Sequence, residues 1–133
     1  MIEQKAPVIS DGLRLDGAFF TDENVNNPDL PIVIVCSGFT GQKNIHPERY
    51  ARALTAKGFT VFGFDYRGFG RSGGEPRRVV DGREQVKDWL AAVESLQHRG
   101  DIDPKRLGIW GTSFSGGEVL VVAAQRAGTV KAV

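Results

Sequence analysis

Ser113 lies in Gly111-Thr-Ser-Phe-Ser115, directly after the strand-like run Arg106-Leu-Gly-Ile-Trp110 and directly before a stretch of helical character. A serine whose oxygen must stand clear of the backbone needs a sharp strand-to-helix turn, and such a turn accepts only small neighbours across the bend. Gly111, Ser115, Gly116 and Gly117 supply them. The pattern is G-x-S-x-G with serine in its last position. The helix that follows aims its free N–H groups and its positive dipole end at the same point. This arrangement points to Ser113 as a nucleophile.

Few other residues compete for a chemical role. Gly68-Phe-Gly70-Arg-Ser-Gly73 fits G-x-G-x-x-G after a strand, as a dinucleotide-binding turn would. Gly74-Glu75-Pro76 follow where that turn needs a helix, so these glycines are read as tight turns holding their loop near Ser113. Cys36, at a strand end, reads as a small core residue. His98 stands at a helix end beside Arg99 and Gly100, where a cation suits the dipole. His46 precedes Pro47 and reads as a helix-entry residue. Glu118, on the helix after Ser113, reads as a solvated or rim group. One cysteine and two separated histidines make no ligand set, so no metal and no cofactor are expected.

The elements that must position Ser113 follow from hydrophobic pattern and turn residues. Ala6–Ile9 and Leu13–Phe20 are strand-like around Asp11-Gly12, a strong hairpin dipeptide. A polar, turn-rich loop covers 21–31. Ile32–Cys36 is a continuous β-branched run, as expected of a strand covered on both faces. The loop Ser37-Gly-Phe-Thr-Gly41 leads to a helix over Pro47–Lys57, with Tyr50 and Leu54 facing the sheet and Gly58 as its stop. Thr60–Phe64 is the next buried strand. A helix spans Val80–His98, with Val86, Trp89, Leu90 and Val93 on one apolar face. Arg106–Trp110 is a strand, and the helix after Ser113 runs to about Gly128 with Gly117, Leu120, Val121 and Ala124 along one face. Val130–Val133 reads as the start of another strand. The alternation predicts an α/β fold: one domain over 1–133, mostly parallel sheet, an antiparallel hairpin first, and helices on both faces.

Composition excludes several classes. Of the 133 residues 41% are apolar and 25% charged, ordinary for a globular domain. Seventeen basic and sixteen acidic residues with no basic stripe argue against nucleic acid or an anionic membrane as the partner. The longest apolar run, Ile32–Cys36, is too short to span a bilayer, and the N-terminus lacks the layout of a signal peptide. With one cysteine, a cytoplasmic setting is the default expectation.

Four blocks, in order, resemble the α/β-hydrolase superfamily from about residue 6 onward. They are Ser37-Gly-Phe-Thr-Gly41, Asp65-Tyr-Arg-Gly-Phe-Gly-Arg-Ser72, Asp103-Pro-Lys-Arg-Leu-Gly-Ile-Trp-Gly111, and the serine turn. Within the superfamily the chain looks most like the dienelactone-hydrolase and acyl-peptidase-like branch. The resemblance implies cleavage of an ester, thioester, lactone or amide through an acyl-enzyme on Ser113. It implies an oxyanion hole from the backbone N–H of Phe114 and that of Phe39, or of its neighbour Thr40, although Ser37 stands where the family often has histidine. The family order is serine, then acid, then histidine, and no histidine or aspartate follows Ser113 here. The expectation is therefore the N-terminal portion of a hydrolase, with a small-molecule acyl substrate. Its acid and histidine would come from a complementing C-terminal polypeptide, and the open sheet edge near Val130–Val133 would invite association. Two alternatives stand beside it: a non-catalytic fragment or pseudo-enzyme that only binds a ligand or partner chain, and a carbon–carbon bond hydrolase on the same fold.

Overall fold

The computed structural model describes residues 1–24 and 29–133; the middle of the loop expected over 21–31 lies outside the described residues. The strands are β1 (Ile2–Lys5), β2 (Val8–Ser10), β3 (Leu13–Leu15), β4 (Gly17–Thr21), β5 (Ile32–Cys36), β6 (Thr60–Phe64), β7 (Leu107–Trp110) and β8 (Val130–Ala132). The helices are α1 (His46–Thr55), α2 (Gly82–Gln97) and α3 (Phe114–Gln125), and a short 3₁₀ turn (Pro104–Arg106) leads into β7. Among the described residues the main sheet has six strands in the order β1-β4-β6-β5-β7-β8. Pairs β5–β6, β5–β7 and β7–β8 are parallel, while β1–β4 and β4–β6 are antiparallel. The α/β architecture read from the alternation of elements is the one observed.

The N-terminal segment departs from the single long strand expected over Leu13–Phe20. β2 and β3 form a separate two-stranded hairpin, with Asp11 and Gly12 at φ of 48° and 79° in its turn. Asp16 ends it: its N–H donates to Ser72 Oγ at 2.8 Å, and its carbonyl accepts from the Asp65 N–H at 3.0 Å. These bonds to the loop after β6 replace strand pairing, and the chain re-enters the main sheet as β4. β1, not expected from the pattern, then pairs with β4.

The sheet is covered on both faces. Alternation along β5 sends Ile32, Ile34 and Cys36 into one core with Trp89 and Leu96 of α2 and Val119 and Val122 of α3. Val35 enters the other core with Phe20, Val61 and Ala51 of α1, where half-buried Tyr50 and Leu54 also pack. The Tyr50 ring lies 4.0 Å, centroid to centroid, from that of Trp110. On α3 the buried stripe is Ser115, Glu118, Val119 and Val122. Gly117, Leu120, Val121 and Ala124, the face expected from apolarity, are exposed instead. The helix is thus rotated so that Val119 and Val122, rather than Leu120 and Val121, enter the core.

α2 also buries charge. Asp88 is fully buried and accepts from the Arg67 backbone N–H and Nε, both at 2.9 Å, and from Arg67 Nη2 at 2.8 Å. This bond set pins the loop after β6 to the helix. Asp88→Ala is expected to cost about 3 kcal/mol in urea unfolding, because it strands the half-buried arginine and leaves its N–H unpaired. Lys87→Ala, which removes an exposed cation of the same cluster, is expected to leave the unfolding midpoint close to that of wild type.

Candidate active site

β5, β6 and β7 run in parallel, so the loops at their carboxyl ends gather on one side of the sheet, where ligands bind in open α/β sheets. The loop after β7 carries Ser113 immediately before α3. Ser113 is exposed and has φ 57° and ψ −124°, a conformation that side-chain-bearing residues rarely adopt. Its neighbours enforce it. A Cβ on Gly111 would sit 2.5 Å from the Ser115 carbonyl oxygen and 2.9 Å from Val119, so only glycine fits. Ser115, fully buried, accepts from the Thr112 N–H at 3.0 Å and donates to the Thr112 carbonyl at 2.9 Å, with the Cys36 carbonyl 3.5 Å away. The serine in the last place of the motif thus clamps the turn with its hydroxyl.

The loop after β5 closes on this turn. A Cβ on Gly38 would lie 3.2 Å from both Ser113 Cβ and the Thr112 carbonyl oxygen. The rings of Phe39 and Phe114 meet edge to face at 5.9 Å. Among the described residues neither the Phe39 nor the Phe114 backbone N–H has a hydrogen-bond partner. Ser37 anchors the loop by donating to the Gln42 carbonyl at 3.2 Å. Asp65, at the end of β6, accepts from the Lys43 N–H and, at 3.2 Å, from the Arg71 N–H, tying the loops after β5 and β6 together. Burial raises its pKa above the ordinary aspartate value, against the opposing pull of those two bonds.

Ser113 and Phe114 border a cleft of about 1010 Å³ between α2 and α3, walled by Val86, Leu90 and Val121 and also lined by Glu118. Glu118 is not the rim group expected. It is buried, with Oε2 accepting from Tyr66 Oη at 2.5 Å and from Trp89 Nε1 at 3.3 Å, while Oε1 has no partner among the described residues. The rotation of α3 carries it inward. Burial pushes its pKa above the ordinary glutamate value, although both hydrogen bonds favour the carboxylate. Cys36 donates to the Phe64 carbonyl at 3.2 Å, and burial raises its thiol pKa well above the ordinary value, in keeping with a core role.

The histidines lie where the sequence placed them. His46 is the exposed first residue of α1, and His98 follows the end of α2 with Nδ1 2.8 Å from the Glu94 carbonyl oxygen. Among the described residues neither lines the cleft, and no group of histidine, cysteine and acidic side chains is placed to hold a metal ion. The glycines of 68–73 open no helix, since α2 begins only at Gly82; the Gly68 N–H bonds the Gly73 carbonyl at 2.8 Å in a closed turn. No helix among the described residues is long and apolar enough to cross a membrane.

Comparison with known proteins bears on this geometry. The family described as serine aminopeptidase, S33, matches residues 28–133. The quorum-quenching protein AidA of Acinetobacter baumannii is 40% identical over 71% of this chain, a match covering 31% of AidA. The thiohydrolase aneE of Aspergillus aculeatus is 36% identical over 85% of this chain and 34% of its own length. The crystal structure of the α/β-hydrolase GrgF from Penicillium superposes on 99% of this chain and 45% of GrgF, with a TM-score of 0.89 and 28% identity. The chain spans about a third of the length of these two curated relatives.

The raised Glu118 pKa has a signed consequence. The folded state keeps this proton to higher pH than the unfolded state, so its contribution falls as pH rises above the ordinary glutamate value of 4.5. Glu118→Gln removes that dependence. Urea unfolding from pH 4.5 upward is expected to show wild type losing stability relative to the variant, by at most about 1.4 kcal/mol per pH unit. A pH-independent difference would contradict it.

Proposed function

The chain belongs to the serine aminopeptidase S33 family of α/β-hydrolases, and on that footing we propose that it carries the nucleophile of a serine hydrolase acting on an acyl compound. The observation that carries the reading is Ser113 itself. It is an exposed residue at φ 57°, at the N-terminus of α3 and on the border of the cleft between α2 and α3. Ser113 Oγ attacks the acyl carbon of an ester, thioester, lactone or amide while a histidine takes its proton. The tetrahedral oxyanion is held by the backbone N–H groups of Phe39 and Phe114, and each such donor is worth about 3–4 kcal/mol of transition-state stabilisation. Collapse expels the alcohol, thiol or amine with that proton, and water then releases the acid from Ser113. The thioester option gains support from the relative named as a thiohydrolase.

Among the described residues neither histidine lines the cleft, so the acid and the histidine are proposed to come from polypeptide other than these 133 residues. The alternative of a non-catalytic binding piece differs in one measurable respect. Assay of the chain with p-nitrophenyl esters is expected to show little or no turnover. With the complementing polypeptide supplied, turnover appears and falls at least about a thousandfold in Ser113→Ala. Robust turnover by the chain alone, or turnover that survives Ser113→Ala, contradicts the reading.

A further inference from the structure

A second cleft, of about 600 Å³, lies beside the loop after β5. Thr40 and Gln42 of that loop line it, with Phe69, Arg77 and Arg78 from the segment between β6 and α2. Two features of that segment need explaining. Arg78 has a φ of 62°, in the left-handed region that a long side chain rarely occupies, and its N–H is fastened to the Gly68 carbonyl at 3.0 Å. Strain of this kind persists where the surroundings dictate it, commonly at ligand clamps. The charge is also lopsided: residues 68–83 hold Arg71, Arg77, Arg78 and Arg83 against Glu75 and Asp81, in a chain whose net charge is only +1.

The arginines of this region fall into two kinds. Arg67 is matched, its guanidinium meeting Asp88, Glu84 and Asp11. Arg77 spends its donors on the carbonyls of Ser72 and Gly70, at 2.5 and 2.8 Å, so it shapes the loop but keeps its full charge. Among the described residues no carboxylate pairs with Arg71, Arg77, Arg78 or Arg83. Asp81 is occupied with the Arg83 and Glu84 N–H groups as the cap of α2. Arg78, whose guanidinium no carboxylate neutralises among the described residues, is therefore a lining residue of a concave site beside the loop that carries the proposed oxyanion donor Phe39. A planar fork of N–H donors suits a carboxylate or a phosphate, and the neighbouring charge of Arg77 favours either.

We propose that this cleft binds an anionic oxyacid group, carboxylate or phosphate, on the substrate, and that Arg78 is the residue that reads it. The proposal rests on the serine-hydrolase reading for calling the ligand a substrate, but the anion site does not depend on Ser113. It accounts for both the strained backbone at Arg78 and the uncompensated charge around it.

The test is an NMR titration of ¹⁵N-labelled chain, following the Arg78 Nε–H and Thr40 N–H signals. Monomethyl glutarate, methyl phosphate and the neutral methyl butyrate serve as probes. Saturable shifts are expected with at least one anion, weakened by added salt, and none with methyl butyrate at equal concentration. Arg78→Gly, whose glycine keeps the positive φ without the guanidinium, is expected to weaken anion binding at least about tenfold. The anion that binds identifies the group. Ser113→Ala is expected to leave binding unchanged, so a failure of the serine mechanism shows in turnover and a failure of the anion site shows here. Equal binding of the neutral ester, undiminished binding in Arg78→Gly, or no shift with either anion would overturn the proposal.

Discussion

Ser113 holds a backbone conformation that costs of order 1–3 kcal/mol for a residue with a side chain, and most of the site follows from how that conformation is kept. Gly111 lets the turn fold back on Ser115 and Val119, where any Cβ would collide with backbone. The Ser115 hydroxyl closes the turn on Thr112 and brings it within reach of the Cys36 carbonyl at the end of β5. The strain is thus held by a glycine that cannot be enlarged and a buried hydroxyl. α3 follows directly on this turn, with Glu118 buried against Tyr66 and Trp89 and Leu120 and Val121 outside.

The neighbouring loops are held by polar bonds to the buried end of β6. Asp65 takes the Lys43 and Arg71 N–H groups, and its own backbone bonds the Asp16 carbonyl and the Ser72 hydroxyl. Arg67, one turn of chain further on, is locked to Asp88 in the middle of α2. One strand end therefore positions the loop bearing Phe39, the glycine-rich loop and the helix that walls the cleft. Buried carboxylates are costly unless hydrogen-bonded, and Asp65 and Asp88 are used where that cost is offset by several N–H donors at once.

The parts of this arrangement that were legible in the sequence are those set by local chemistry. The β-branched run Ile32–Cys36, the Asp11-Gly12 turn and the small residues around Ser113 each have one economical structural solution, and each is found. The buried face of α3 was not legible, because hydrophobicity favoured Leu120 and Val121, whereas the helix buries Glu118 and Val119. Asp88 was not legible for a related reason: a carboxylate on the inner face of α2 looks like a solvated position until Arg67 is brought to it by the tertiary fold. The break at Asp16 also depends on distant partners, Asp65 and Ser72. One signal was available in advance, since a serine in place of the last glycine of the motif has a hydroxyl that needs partners across the turn.

The claim on which the rest depends is that the strain at Ser113 is imposed by its surroundings. The direct measurement is the unfolding free energy of Ser113→Gly set against wild type and Ser113→Ala. Glycine adopts a positive φ without a Cβ penalty, so the glycine variant is expected to be the most stable of the three, by about 1 kcal/mol, despite the greater entropy of its unfolded chain. A glycine variant no more stable than the alanine variant would mean that residue 113 is not strained, and the account of a nucleophile held at an enforced turn would be wrong.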